Sequence, residues 1–157
     1  MLESMKLSGA PAVLFALAAT FCFSQETADP WPKTAVIEPA QLAKTLESGK
    51  APIVISVAFP VLYRARHIVH AIQAGPGSSP EGIAALKKAV ASVPKDAEIV
   101  IYCGCCPMDK CPNIRPAYRA LKEMGFNRIR VLDLPDNLHT DWSEKNYPTE
   151  TGAKDVK

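Results

Sequence analysis

Three things are scarce in this sequence of 157 residues, and each scarcity excludes something. No apolar run approaches the roughly 20 residues that a membrane-spanning helix needs. The longest, residues 12–23, has 12. Charge of one sign is never concentrated: 18 Lys and Arg stand against 16 Asp and Glu, for a net charge of +2. There is thus no acidic or basic tail and no electrostatic footprint for nucleic acid. Cysteine, at five residues, is too sparse for a fold built on disulfides, and a chain of this length buries a core without them. Internal repeats and low-complexity tracts are also missing. What remains is a one-domain length of ordinary composition, 48% hydrophobic and 22% charged. That suits a small α/β or α+β domain.

The short apolar run has its own reading. Lys6 precedes it and Ser24-Gln25-Glu26-Thr27 follows. A basic residue, a short apolar region and small residues at the exit mark a secretory signal peptide. Cys22 and Ser24 are the small residues before the cut, so cleavage is expected after Ser24. Residues 1–24 are then an address label. The mature protein is expected in the periplasm or outside the cell, off the membrane, where thiols are open to oxidation. Residues 25–37 read as a proline-broken linker ending in a first strand over 34–37. Residues 38–150 read as one folded domain, and residues 151–157 as a polar tail.

Strands and helices alternate through that domain. Glu38-Pro39 opens a helix, with proline in the first turn, where its missing N–H costs nothing. Leu42 and Leu46 share its face and Gly49 stops it. Residues 53–58 are continuous and β-branched, as in a strand covered on both faces of a parallel sheet. A helical piece over 60–66 and a short strand over 71–73 follow. Ser79 caps the next helix, Pro80 starts it, and Ile83, Leu86, Val90 and Val93 line its buried face. Residues 98–102 form a second apolar strand. A helix from about Asn113 has Ile114, Tyr118 and Leu121 on one face and ends at Gly125. Residues 128–132 make the next strand and residues 136–145 the last helix. This alternation predicts a parallel sheet with helices on both faces.

Four of the five cysteines fall within residues 103–111: Cys103-Gly104-Cys105-Cys106-Pro107-Met108-Asp109-Lys110-Cys111. Cys103 stands at the carboxyl end of a strand, where open α/β sheets bind ligands. A helix starts soon after. Helix N-termini carry about half a positive charge and unpaired N–H groups. Both favour the thiolate, which is the nucleophilic form. The pattern marks Cys103 as a candidate nucleophile rather than an inert core thiol.

In order and spacing, residues 38–148 resemble the rhodanese-like (sulfurtransferase) domain. Ile99-Val100-Ile101-Tyr102-Cys103 is similar to the family's strand ending in its catalytic cysteine. Ala117-Tyr118-Arg119-Ala120-Leu121-Lys122-Glu123-Met124-Gly125-Phe126 resembles the helix after the active-site loop. Residues 128–132 look like the strand that follows it. Asp141-Trp142 and Tyr147-Pro148 match the tryptophan and proline near the family's end. His67-Ile68-Val69-His70-Ala71-Ile72 resembles its Gly-His-Ile-Pro-Gly-Ala segment. The resemblance implies an α/β fold around a parallel five-stranded sheet. It implies that Cys103 accepts a sulfane sulfur as a persulfide and passes it to a nucleophile. Amides over residues 104–111 would cradle that sulfur. It implies a small sulfur-containing anion as donor and a thiol as acceptor, a protein thiol among the candidates, and no cofactor.

The departures are local. Where the family strand usually reads Asp-Val-Arg, this one reads Ser56-Val57-Ala58. The family loop places an arginine five residues after its cysteine. Counting back 12 from Gly125 puts that place at Asn113, ten residues after Cys103, so the loop is about five residues longer and the arginine is absent. Lys110, Asn113 and Arg115 are the candidates for orienting an anionic substrate. The added residues bring Cys105, Cys106 and Cys111. They read as resolving thiols for Cys103, or as a Cys106–Cys111 disulfide that stiffens the loop. A third reading has Cys103, Cys105, Cys106 and Cys111 as ligands of zinc or Cu(I), with His67 and His70 as additional ligands. A non-catalytic binding module of the same fold is the alternative from another class. The leading expectation is an exported sulfurtransferase without metal.

Overall fold

A computed structural model describes residues 28–152. The expected signal peptide, residues 1–24, and most of the expected tail lie outside the described residues.

The elements follow the alternation read from the sequence. In chain order they are β1 (Val36–Ile37), α1 (Pro39–Glu47), β2 (Ile53–Ser56), α2 (Pro60–Ala65), β3 (His67–Ile68), β4 (Ile72–Gln73), α3 (Pro80–Ala89), β5 (Ile99–Tyr102), α4 (Ile114–Glu123), β6 (Ile129–Leu132) and β7 (Thr149–Glu150). Five strands form one parallel sheet in the order β1-β6-β5-β2-β4, and β3 pairs antiparallel with β7. The expected five-stranded parallel sheet is therefore present, with helices on both faces.

The β-branched runs explain the centre. Side chains alternate across a strand, and β5 is buried on both faces. Ile99 and Ile101 join one core with Leu86, Leu121 and Val131, while Val100 and Tyr102 join the other with Leu42, Leu132 and Trp142. Pro39, Pro60 and Pro80 each open a helix, and the Ser79 hydroxyl accepts the Gly82 N–H at 3.0 Å. Trp142 is fully buried; its indole N–H donates to the Pro148 carbonyl at 3.0 Å and its ring meets Tyr147 edge-on. Trp142→Ala should lower the unfolding free energy by about 3–5 kcal/mol, read from denaturant melts.

Three local expectations change. The first strand shortens from 34–37 to Val36–Ile37, because a 3₁₀ turn over Lys33–Ala35 uses the Ala35 N–H on the Pro32 carbonyl. The last helix shrinks to a π-type turn over His139–Ser143. There the Asp141 carboxylate accepts the N–H groups of Asp136 and Asn137, and the Asn137 side chain accepts that of Thr140. Such short side-chain bonds compete with a regular helix. The proline-broken segment before β1 lies along α4: Trp31 is buried edge-on to Tyr118 at 5.4 Å.

Candidate active site

The register of β2 against β5 sets Ser56 beside Tyr102 at the carboxyl edge of the sheet. The residue after Tyr102 is Cys103, so the thiol emerges where three parallel strands end together. Gly104 then turns the chain with φ +77°. A side chain there would be strained, and its Cβ would lie 2.7 Å from the Leu138 Cβ. The Gly104 carbonyl accepts the Leu138 N–H at 3.1 Å and the Leu134 carbonyl accepts that of Met108 at 3.0 Å. The long loop is thus tied down along residues 134–138. It makes one 3₁₀ turn over Met108–Lys110 and reaches α4 through Cys111, Pro112 and Asn113.

This path brings three sulfurs together. The Sγ atoms of Cys103, Cys105 and Cys111 all lie within 4.8 Å of one another. Cys103 and Cys105 are 3.1 Å apart, and Cys105 and Cys106 3.3 Å. Cys103 and Cys111 are buried, whereas Cys105 is at the surface. All four are free thiols, so the disulfide expected between Cys106 and Cys111 is not formed. The Cys106 thiol instead meets Cys105 and Cys111 as a hydrogen-bonding partner, and the Cys111 sulfur also takes the N–H groups of Asn113 and Ile114.

Asn113 is the decisive polar residue. It is wholly buried; its Nδ2 donates to the Cys103 sulfur at 3.2 Å and its Oδ1 accepts the Ser78 N–H at 3.0 Å. Its backbone carbonyl leaves no room for a side chain at Gly77. The position where the resemblance placed an arginine therefore holds a neutral donor aimed at the sulfur itself.

The thiols are electrostatically unequal. Cys111 is pulled down to about 6, first by the S–H of Cys103 and then by the amides of Asn113 and Ile114 at the start of α4, which together outweigh its burial. Cys103 moves far upward, because it donates to Cys111 and is desolvated. The two thiols titrate as a pair, in which the first proton leaves more readily than the second because the remaining S–H donates to the thiolate. Cys106 is pushed up to about 12, mainly by desolvation. The amide cradle is also smaller than the resemblance implies. The N–H groups of Met108, Lys110 and Cys111 are bonded to backbone carbonyls, and the Cys105 amide is the one that bonds to Cys103.

Cys103 opens onto a cavity of about 410 Å³, within the range of small-ligand sites. Ser56 and Tyr102 lie beside Cys103 in it; Tyr63 and Arg66 come from the α2 side, and Leu138 and His139 from the turn after β6. Arg66 and His139 were not singled out from the sequence. The signal for Arg66 was its place just before His67. Arg115 does not line the cavity. Its guanidinium meets Asp29 at 2.6 Å, the Asp109 carbonyl at 2.7 Å and the Cys111 carbonyl at 3.3 Å, and it faces the Trp31 ring. Lys110 is exposed and also outside the cavity. The two histidines offered as extra ligands do not join the sulfurs. His67 is stacked on Tyr63 and, like His70, sits close to Glu150.

The model of the rhodanese-like domain matches residues 38–134, more than half of the chain. The chain belongs to the rhodanese-like domain family. Solved rhodanese-like structures share the fold. The rhodanese-like domain of an Anabaena protein superposes with a TM-score of 0.56 at 22% identity, covering 78% of this chain and 83% of that one. A Bacillus halodurans protein gives 0.60 at 22%, covering 76% and 79%. The polysulfide-sulfur transferase homodimer of Wolinella succinogenes gives 0.53 at 16%, covering 78% and 82%. No curated protein matches the chain. Family membership supports sulfurtransferase chemistry in general. The site of this rhodanese-like domain carries a cluster of four cysteines over residues 103–111.

Proposed function

We propose that the protein is an exported sulfurtransferase in which Cys103 carries a sulfane sulfur as a persulfide. The observation that supports this best is the placement of one thiol at the end of β5, facing the cavity, with hydrogen bonds donated by the Asn113 side chain and the Cys105 amide. Cys103 and Cys111 share a hydrogen bond, so the one proton between them moves to Cys111 while the Cys103 sulfur attacks the outer sulfur of an anionic donor such as a polysulfide or thiosulfate. The S–S bond of the donor breaks, its remainder leaves with the electron pair, and Cys103 holds the sulfur. A thiol acceptor then takes that outer sulfur and restores Cys103. Cys105, 3.1 Å away, offers a second outcome. Its sulfur attacks the Cys103 sulfur, hydrosulfide leaves, and a Cys103–Cys105 disulfide forms. A protein dithiol partner then reduces that disulfide. The extracytoplasmic setting suits the second outcome, because an oxidised pair persists there.

The test is steady-state sulfur transfer from thiosulfate and from polysulfide to a thiol acceptor, with a cavity variant and a loop variant compared. Arg66 is the cation beside the cavity and is exposed, so its effect on an anionic donor is screened. Arg66→Ala should raise KM for the donor about two- to fivefold. Arg115→Ala should leave KM unchanged and lower thermal stability, since its partners are Asp29 and the loop carbonyls. The reverse pattern would place the donor elsewhere.

A further inference from the structure

We propose that Cys103, Cys105 and Cys111 form a binding site for a soft monovalent cation, Cu(I) first, and that this cation and the persulfide exclude each other. The proposal is independent of sulfur transfer, although it shares Cys103 with it.

The geometry comes first. Two sulfurs come from the end of β5 and its glycine turn; the third arrives from the residue before Pro112, ahead of α4. Thiolates around one ion at about 2.3 Å lie about 3.8–4.0 Å from each other. The three here fall inside an envelope of 4.8 Å, with one pair at 3.1 Å. A rotation of the Cys105 side chain, the one at the surface, opens the short pair to that spacing. The donor set comes next. Among the described residues no imidazole or carboxylate joins this group. A site of thiolates alone selects soft ions over the harder divalent ones. The further sulfur, Cys106, meets Cys105 and Cys111 but does not fall within the 4.8 Å envelope that includes Cys103, which leaves three mutually close ligands rather than the closed four of structural zinc.

The surroundings fit a bound cation. Cys103 and Cys111 are buried, so water is excluded from two of the ligands, and surface Cys105 on the cavity provides the entry path. Asn113 Nδ2 donates to Cys103, and the amides of Asn113 and Ile114 donate to Cys111. Outer-shell hydrogen bonds of this kind orient thiolates and offset their charge. Binding releases the protons of the coordinating thiols and involves no electron transfer, because the ion enters already reduced.

The experiment uses the full chain, fully reduced and without oxygen, titrated with Cu(I) against a coloured chelator. One Cu(I) per chain is expected, with a near-ultraviolet thiolate-to-metal band. Cys105→Ser should weaken Cu(I) binding at least about a hundredfold, while Cys106→Ser should shift it by no more than a few fold. Circular dichroism confirms that both variants fold. Loss of affinity in Cys106→Ser equal to that in Cys105→Ser would mean that the loop binds metal without this site. Failure to take Cu(I) from the chelator, or tighter binding of Zn(II) than of Cu(I), would overturn the assignment. Sulfur transfer by the copper-free wild-type chain separates the readings. Transfer without copper binding removes this proposal alone, and copper binding without transfer removes the sulfurtransferase reading alone.

Discussion

Cys103→Ser is expected to lower sulfur transfer by at least about a thousandfold, because the hydroxyl cannot carry the sulfur. Its fold should survive: the side chain keeps its size class, and the Asn113 amide still finds an acceptor. Cys105→Ser should behave differently. The persulfide should still form, since Cys103 retains its cavity face and its Asn113 contact. Release of hydrosulfide in the absence of an acceptor should stop, because the sulfur 3.1 Å away that would displace it has gone. Single-turnover assays that follow persulfide and hydrosulfide separately check both outcomes. Hydrosulfide release unchanged in Cys105→Ser would assign the resolving step to another thiol.

The second large effect is expected at Asn113. This side chain serves two partners at once and is wholly buried. Asn113→Ala removes the acceptor for the Ser78 N–H and the donor to Cys103, and leaves a small void. The cost should be about 1–3 kcal/mol of stability, from the two lost hydrogen bonds and the lost packing. Sulfur transfer should fall about tenfold, in line with about one lost hydrogen bond to a charged atom. Asn113→Asp should suppress transfer further, because a carboxylate beside Cys103 opposes a second negative charge. Denaturant melts and initial rates on the two variants read these effects. An Asn113→Ala protein as stable and as active as the wild type would remove Asn113 from the site.

Some of this was legible in the sequence for identifiable physical reasons. The β-branched runs at 53–58 and 98–102 can hardly be anything but buried strands, and they fix where Cys103 emerges. Prolines 39, 60 and 80 mark helix starts through a local rule that tertiary contacts rarely override. Counting back from Gly125 reached Asn113, although not what it does. The unread parts depend on contacts across long separations. Two-residue strands such as β3 and β7 carry no periodicity, and they meet because Ile68 pairs with Thr149. In sequence, Arg115 is a candidate for orienting an anionic substrate because it lies two residues from Asn113, where the resemblance places an arginine. Its engagement with Asp29, 86 residues away, has no sequence signal. The sulfurs were equally opaque. Spacing showed that Cys103, Cys105, Cys106 and Cys111 share a loop. Only the fold turns Cys111 inward to Cys103 and leaves Cys106 outside the group.

The most direct test is the intact mass of the reduced chain after incubation with thiosulfate or polysulfide, followed by mapping of the modified peptide. The wild-type chain should gain about 32 mass units, one sulfur, on Cys103, and a subsequent thiol should remove it. Cys103→Ser should gain nothing. A sulfur that still adds to Cys103→Ser, or a wild-type chain that takes no sulfur from either donor, would contradict the account.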